Sequence, residues 1–174
     1  MGDSDRSLGD ERLTSKGFHS IRLMKKSDRP FIEKGLIETN WQDIPDDQKV
    51  MLKRKKCDKA MLNDFELFMK NKRIKYTIFV AVDSDDEPIG FISIGLSQNP
   101  TVKLRFGNIF DFYVTPEWRN KGVGQNLIAY AIHKIRKRKL KYAGLYVSAN
   151  NEVALHLYDK FGFYSDRILK MKKL

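Results

Sequence analysis

At 174 residues, 41% of them hydrophobic and 32% charged, the chain has the size and composition of one water-soluble domain able to bury a core of its own. No apolar run is long enough to span a bilayer, and Met1–Ser20 is polar, mixed in charge and without the apolar stretch of a secretory signal. Cys57 is the only cysteine, which excludes an internal disulfide and makes a cytoplasmic location the expectation.

In chain order, residues 1–18 read as a mobile tail, with residues 19–174 as a single domain. Ile21–Met24 can form an opening strand. Ser27-Asp28-Arg29-Pro30 combines a capping side chain with an early proline, a helix start, and Phe31, Ile32, Leu36 and Ile37 give that helix an apolar face. A second helical region runs from Asp43 to about Lys72, with Met61, Leu62, Phe65, Phe68 and Met69 at helical spacing. Tyr76–Val82 and Ile89–Leu96 flank the turn Asp83–Pro88 and make a hairpin. After the break at Gln98-Asn99-Pro100 a third strand runs to Val114. A helix with Val123, Leu127, Ile128, Ala131 and Ile135 on one face ends near Lys139. Ala143–Val147 is a strand, Asn150-Asn151-Glu152 starts a helix to about Phe161, Gly162 stops it, and two short strands close the chain. The order β-α-α-β-β-β-α-β-α-β-β describes an α/β (α+β) fold with a mixed, mostly antiparallel sheet flanked by helices. The crossover through the 123–139 helix makes one strand pair parallel, and such a pair can diverge and admit a ligand.

The net charge of +11 is gathered in Lys53–Lys56, Lys70–Lys75, Arg136–Lys139 with Lys141, and at the C-terminus. Such clusters suit nucleic acid, a polyanionic cofactor or an acidic protein, or are solvated helix faces. No zinc-finger spacing or aromatic ribonucleoprotein motif supports a nucleic-acid module.

Two segments carry chemistry. The first is Val114-Thr115-Pro116-Glu117-Trp118-Arg119-Asn120-Lys121-Gly122-Val123-Gly124, a basic glycine-containing loop between a strand and a helix. Its backbone N–H groups and the helix dipole can hold an anion, although two glycines also ease a plain strand-to-helix turn. It is not a Walker loop, for no Gly-Lys-Ser/Thr follows. Nor is it a dinucleotide fingerprint, because Leu127 takes the third glycine position. The second is Asn151–Phe163, which serves equally as an amphipathic helix with Tyr158 as a core tyrosine.

Together the two segments resemble the GNAT superfamily of acyl-CoA-dependent N-acyltransferases. Arg119-Asn120-Lys121-Gly122-Val123-Gly124 matches its Arg/Gln-x-x-Gly-x-Gly/Ala motif. Asn151, Ala154, Leu157, Tyr158, Lys160, Gly162 and Phe163 match its Asn-x-x-Ala-x-x-Leu-Tyr-x-Lys-x-Gly-Phe pattern. The likeness is strong over 102–174 and topological over 21–97.

The resemblance implies acetyl-CoA as co-substrate and no metal. It implies a pyrophosphate cradle at Arg119, Asn120, Lys121, Gly122, Val123, Gly124 and Gln125, with Lys121 and Lys160 as phosphate partners. Phe112, Tyr113 and Val114 would pair with the pantetheine arm, and the amide of Phe112 or Tyr113 would face the thioester oxygen. Asn151 would bond the pantetheine, and Tyr158 would protonate the leaving thiolate. The acceptor would be a primary amine on a protein N-terminus, a lysine or a small molecule, with no membrane partner and a monomeric or homodimeric enzyme. A lysine amine with pKa of about 10.4 is neutral in roughly 1 in 2,000 molecules at pH 7, so it needs a general base. Asp111 is the first candidate, followed by Glu38. His156 lies two positions before Tyr158 and is expected to face elsewhere. The alternative is a non-catalytic acyl-CoA-binding module, or a basic nucleic-acid- or ribosome-associated one, on the same fold.

Overall fold

A computed structural model describes residues 18–172; the expected tail falls, but for Phe18, outside these described residues. Five strands form one sheet in sequential order: β1 Phe18–Leu23, β2 Thr77–Asp83, β3 Pro88–Gln98, β4 Arg105–Val114 and β5 Ala143–Leu145. The first three pairings are antiparallel and β4 with β5 is parallel, as the crossover rule required. Helices α1 Arg29–Asp43, α2 Asp46–Lys49 and α3 Arg54–Lys70 precede β2, α4 Val123–Lys137 links β4 to β5, and α5 Glu152–Lys160 follows.

The sheet is sandwiched between two clusters of buried side chains. On one face α4 lays down Val123, Leu127, Ile128, Ala131 and Ile135, all 2% exposed or less. Their spacing is the single apolar stripe that makes a surface helix amphipathic. They pack on Phe79, Ala81, Ile92, Ile94 and Ile109. On the opposite face α1 and α3 bring Ile32, Leu36 and Phe65 against Ile78, Val80, Val82, Phe91 and Tyr113. Phe31 meets Phe91 and Tyr113 edge-on, and Arg54 covers the Trp41 ring at 4.4 Å.

Asp28 locks α1 to β1. Its carboxylate takes a two-pronged contact from Arg22 (2.7 and 3.0 Å) and the Lys25 N–H (2.6 Å) while only 2% exposed. Burial alone would raise its pKa, but these donors hold the carboxyl below the ordinary carboxylate value.

Several boundaries differ from the sequence-based expectation. The second helical region is two helices, broken at 50–53, where Val50 and Met51 are 84% and 71% exposed; side chains with no face to bury do not hold a helix in register. β5 has three residues, not five, and Val147 lies beyond it. The two closing strands are absent from the described residues: Gly162 (φ +77°) ends α5, and residues 163–172 form neither helix nor ladder. Ile168, Leu169 and Met171 are each more than 70% exposed. A strand needs a partner for its N–H and C=O groups, and three-residue β5 offers this segment no ladder to extend.

Among the described residues no helix is long and apolar enough to cross a membrane. None of their His, Cys, Asp and Glu side chains cluster in a group that could hold a metal ion.

Candidate acyl-transfer site

β4 and β5 pair only through Gly107–Ile109 and Ala143–Leu145. Past Ile109 the strands part, so the last five residues of β4 have a partner on the β3 side alone. The parting coincides with an irregularity in β4. Ile92 faces Phe112 and Ile94 faces Ile109, leaving Phe110 and Asp111 opposite Ser93 alone. This is the two-against-one count of a β-bulge, which bends a strand and redirects its side chains. Phe110 and Asp111 both meet Tyr76, by ring contact at 5.6 Å and by a hydrogen bond, so two successive side chains share the α3 face.

The direction of the β4 amides follows from one bond. Thr115 N–H donates to Ile89 O (3.0 Å). Alternation along an antiparallel ladder then turns Tyr113 N–H toward β3 as well, and turns Phe112 and Val114 N–H away from it, into the cleft. The Arg119 guanidinium confirms the sense, since its Nε donates to Val114 O (3.1 Å) from that side. Of the two amides expected at the thioester, Phe112 is open to it. Tyr113 is excluded, because the ladder consumes its N–H.

At the top of the cleft the loop turns through two residues of positive φ, Asn120 (+59°) and Gly122 (+80°). Gly122 is the N-cap of α4, and the first intrahelical bond is Asn126 N–H to Gly122 O (3.1 Å). The N–H groups of 120–125 have no backbone acceptor among the described residues. They gather at the positive end of a fifteen-residue helix, the arrangement that holds phosphate. The Val123 side chain is fully buried, so only its backbone can serve a ligand. A Cβ on Gly124 would stand 3.1 Å from Phe112 Cζ and 3.7 Å from Leu157 Cδ2; this glycine keeps α4 close to α5 as well as leaving the loop open. Arg119 braces the strand end, Lys121 Nζ lies 5.0 Å above the Trp118 ring, and exposed Lys160 has no described contact with the loop.

The floor of the cleft comes from α5. Asn151 caps it, its Oδ1 accepting from Ala154 N–H (3.1 Å), and its Nδ2 donates to Asp43 Oδ1 (3.3 Å) at the end of α1. Tyr158, 8% exposed, lies between Phe112 and Phe163 with ring centroids 6.5 and 5.8 Å away. Burial, and secondarily the negative charge of Asp43, push its phenol up to about 12. His156 is exposed on the same helix, as its spacing from Tyr158 required. Gln42, Asp43, Ser148, Asn150 and Asn151 line a cavity of about 380 Å³ at this mouth. Asp43 is the member sequence reasoning did not place here. It reaches Asn151 across 108 residues of chain, and nothing local marks it.

On the α1/α3 face Tyr113 donates its hydroxyl to Glu38 Oε2 (2.6 Å). Asp111 Oδ2 accepts from Tyr76 (2.5 Å) and Ser93 (2.6 Å), and its own N–H donates to Ser93 Oγ (2.9 Å). Burial raises the Asp111 carboxyl above its ordinary value, with the two hydroxyls opposing the rise. Asp111 is thus buried and held by two donors, whereas Glu38 is about one-third exposed.

The profile of the Acetyltransferase (GNAT) family matches residues 39–163, more than two-thirds of the chain. The chain belongs to the GNAT acetyltransferase family. It is 27% identical over 93 residues to an uncharacterised N-acetyltransferase of Methanocaldococcus jannaschii, a match covering 53% of this chain and 41% of that protein. It is 39% identical over 57 residues to a mycothiol acetyltransferase of Tsukamurella paurometabola, covering 33% and 20%. The chain thus spans less than half the length of these curated relatives. A putative acetyl transferase from Pyrococcus furiosus superposes with a TM-score of 0.73 at 18% identity, over 89% of this chain and all of that one. A predicted acetyltransferase with acetyl-CoA from Clostridium acetobutylicum gives 0.65 at 18% identity, over 88% and 95%. These two likenesses establish the fold, a five-stranded mixed sheet flanked by helices.

Proposed function

We propose that this protein is an acetyl-CoA-dependent N-acetyltransferase that moves the acetyl group directly from the thioester to a primary amine. The observation that carries the reading is one cleft holding three things: N–H groups at 120–125 without a backbone acceptor among the described residues, the open Phe112 and Val114 amides, and a buried Tyr158. The loop N–H groups suit a pyrophosphate, each charge-assisted bond contributing roughly 1.5–3 kcal/mol. Val114 and Phe112 suit an extended amide arm added along β4. Phe112 N–H is the donor for negative charge developing on the thioester oxygen. Acetyl-CoA supplies an activated acyl group and a thiolate leaving group. Tyr158, still protonated at neutral pH, gives that sulfur its proton.

The amine must lose a proton before it attacks. Glu38, paired to Tyr113 and open to solvent, is the carboxylate we assign to receive it; Asp111 would have to surrender two hydroxyl donors to do so. Glu38 and Asp43 also place two carboxylates on α1 on the acceptor side, which attracts an ammonium group. The same residues argue against a non-catalytic acyl-CoA-binding module, which needs the loop but neither Tyr158 nor Glu38.

Calorimetric titration with acetyl-CoA, followed by thiol release over peptide N-termini, lysine peptides, polyamines and aminoglycosides, tests the reading. Binding at micromolar concentration and turnover with one amine class are expected. No binding at high micromolar acetyl-CoA overturns it, and binding without turnover on any amine returns the fold to the sensor reading. Tyr158→Phe should lower kcat about a hundredfold or more and leave the acetyl-CoA Kd within about twofold.

A further inference from the structure

The end of the sheet away from the cleft gathers a dense cluster of basic residues. β2, β4 and β5 begin there and β3 ends there. Three connections meet at this rim: 72–75 before β2, 103–105 before and into β4, and 134–141 from the last turn of α4 toward β5. Backbone bonds tie two of them to the sheet, Leu96 N–H to Ile74 O and Gly107 N–H to Tyr142 O (3.0 Å), while Arg138 Nη2 reaches Thr77 Oγ1 (3.0 Å). The parallel register Gly107 with Ala143 brings the connections that precede β4 and β5 to the same end of the sheet.

The three stretches hold eleven of the 33 Lys and Arg residues and none of the 22 Asp and Glu. The remaining 22 basic residues equal the 22 acidic ones in number, so these three stretches account for the net charge of +11. No Lys or Arg of these stretches forms an ion pair with a carboxylate among the described residues. By contrast, in the run that opens α3, Arg54 pairs with Asp58 (2.9 Å). Gathering like charge side by side costs stability in the free protein, and a polyanion relieves it. Among these charges an aromatic, Tyr142, is 48% exposed next to Lys141.

We propose that this rim binds a nucleic-acid strand, with the Lys and Arg side chains on its phosphates and Tyr142 stacked on a base. An acidic protein would satisfy the charges but has no use for an exposed ring beside Lys141; a strand of nucleotides uses both. The rim lies a helix length from the cleft, about 22 Å for the fifteen residues of α4. Binding there therefore leaves the acyl site open, and the inference stands independently of the acetyltransferase reading.

The test is fluorescence anisotropy with labelled 20-nucleotide single strands of RNA and DNA, a duplex of the same sequence, and unlabelled polyglutamate as competitor. Log K should fall with log salt with a slope of about −3 or steeper, corresponding to four or more phosphate contacts on a single strand. The triple variant Lys137→Glu/Lys139→Glu/Lys141→Glu should lose at least about tenfold in affinity and flatten the slope by about 2. Its control, Lys53→Glu/Lys55→Glu/Lys56→Glu, makes the same change in net charge at the start of α3 and should lose less than about threefold. A single-strand preference removed by Tyr142→Ala supports the proposal, and equal binding of the duplex overturns the stacking on Tyr142. Equal losses in the two triple variants, a flat salt response, no binding at low salt, or polyglutamate competing as well as RNA overturns the proposal. Circular dichroism and acetyl-CoA titration of each variant check that the fold survives.

Discussion

The two faces of the sheet are built from different chemistry. The face under α4 and α5 is a mostly aliphatic cluster, with Tyr158 its one buried residue carrying a titratable group among the described residues. The face under α1 and α3 buries Asp28 and Ser93 completely and holds the Tyr76–Asp111–Ser93 and Tyr113–Glu38 hydrogen bonds. Under the acetyl transfer proposed above, the difference is a division of labour. A thioester arm laid along β4 needs backbone amides and exclusion of water, which an apolar face supplies. A charged amine arriving from the other side needs carboxylates, and these must be held by hydroxyls and guanidinium groups to be buried at all. The bulge at Phe110-Asp111 joins the two, because it opens β4 from β5 and turns Asp111 to the polar face.

Breaking the polar face should cost most. Asp28→Asn leaves the Arg22 guanidinium without its buried counter-charge and is expected to destabilise the protein by about 3 kcal/mol, measured by denaturant unfolding. The pH dependence has a definite sign. The folded pKa of Asp28 lies below the ordinary value of about 3.9, so its contribution is complete above about pH 5. That contribution is lost as pH falls through the folded value, and Asp28→Asn should lack this part of the acid transition.

The apolar face breaks at its closest approach. Gly124→Ile drives a branched side chain toward Phe112 and Leu157 and should weaken acetyl-CoA binding about a hundredfold, or ~2.7 kcal/mol, by calorimetry. Overpacking should add a stability loss of about 1–3 kcal/mol, smaller than that of Asp28→Asn. Near-native acetyl-CoA affinity in a folded Gly124→Ile protein would detach the loop from cofactor binding.

The smallest effects separate two carboxylates on the same face. Glu38→Gln should lower kcat about tenfold or more, measured by steady-state thiol release. Asp111→Asn keeps acceptors for Tyr76 and Ser93 and should change stability at pH 7 by less than about 1 kcal/mol. Burial raises the folded pKa of Asp111, so the wild type should lose stability as pH rises through that value; the Asn variant should not. If Asp111→Asn, rather than Glu38→Gln, silences turnover, the base is the one the sequence pointed to. Tyr158, at about 12, should cause no alkaline fall in rate below about pH 11.

The sequence by itself determined the apolar face and the glycine loop that leads into α4. Both are local: the stripe of α4 repeats within fifteen residues, Gly122 takes the φ of +80° its turn requires, and Asn151 caps the helix that carries Tyr158 three residues beyond its first turn. Short-range spacing fixes such features before any long-range contact forms. Tertiary structure decided the rest. The choice of Phe112 over Tyr113 as the open amide hangs on which partner consumes each N–H. The orientation of Asp111 hangs on a bulge that adds one residue to β4, a shift that reverses every alternation argument downstream. Asp43 joins Asn151, and Tyr142 meets Gly107, only because distant segments fold onto one another, and a linear pattern carries no record of such meetings.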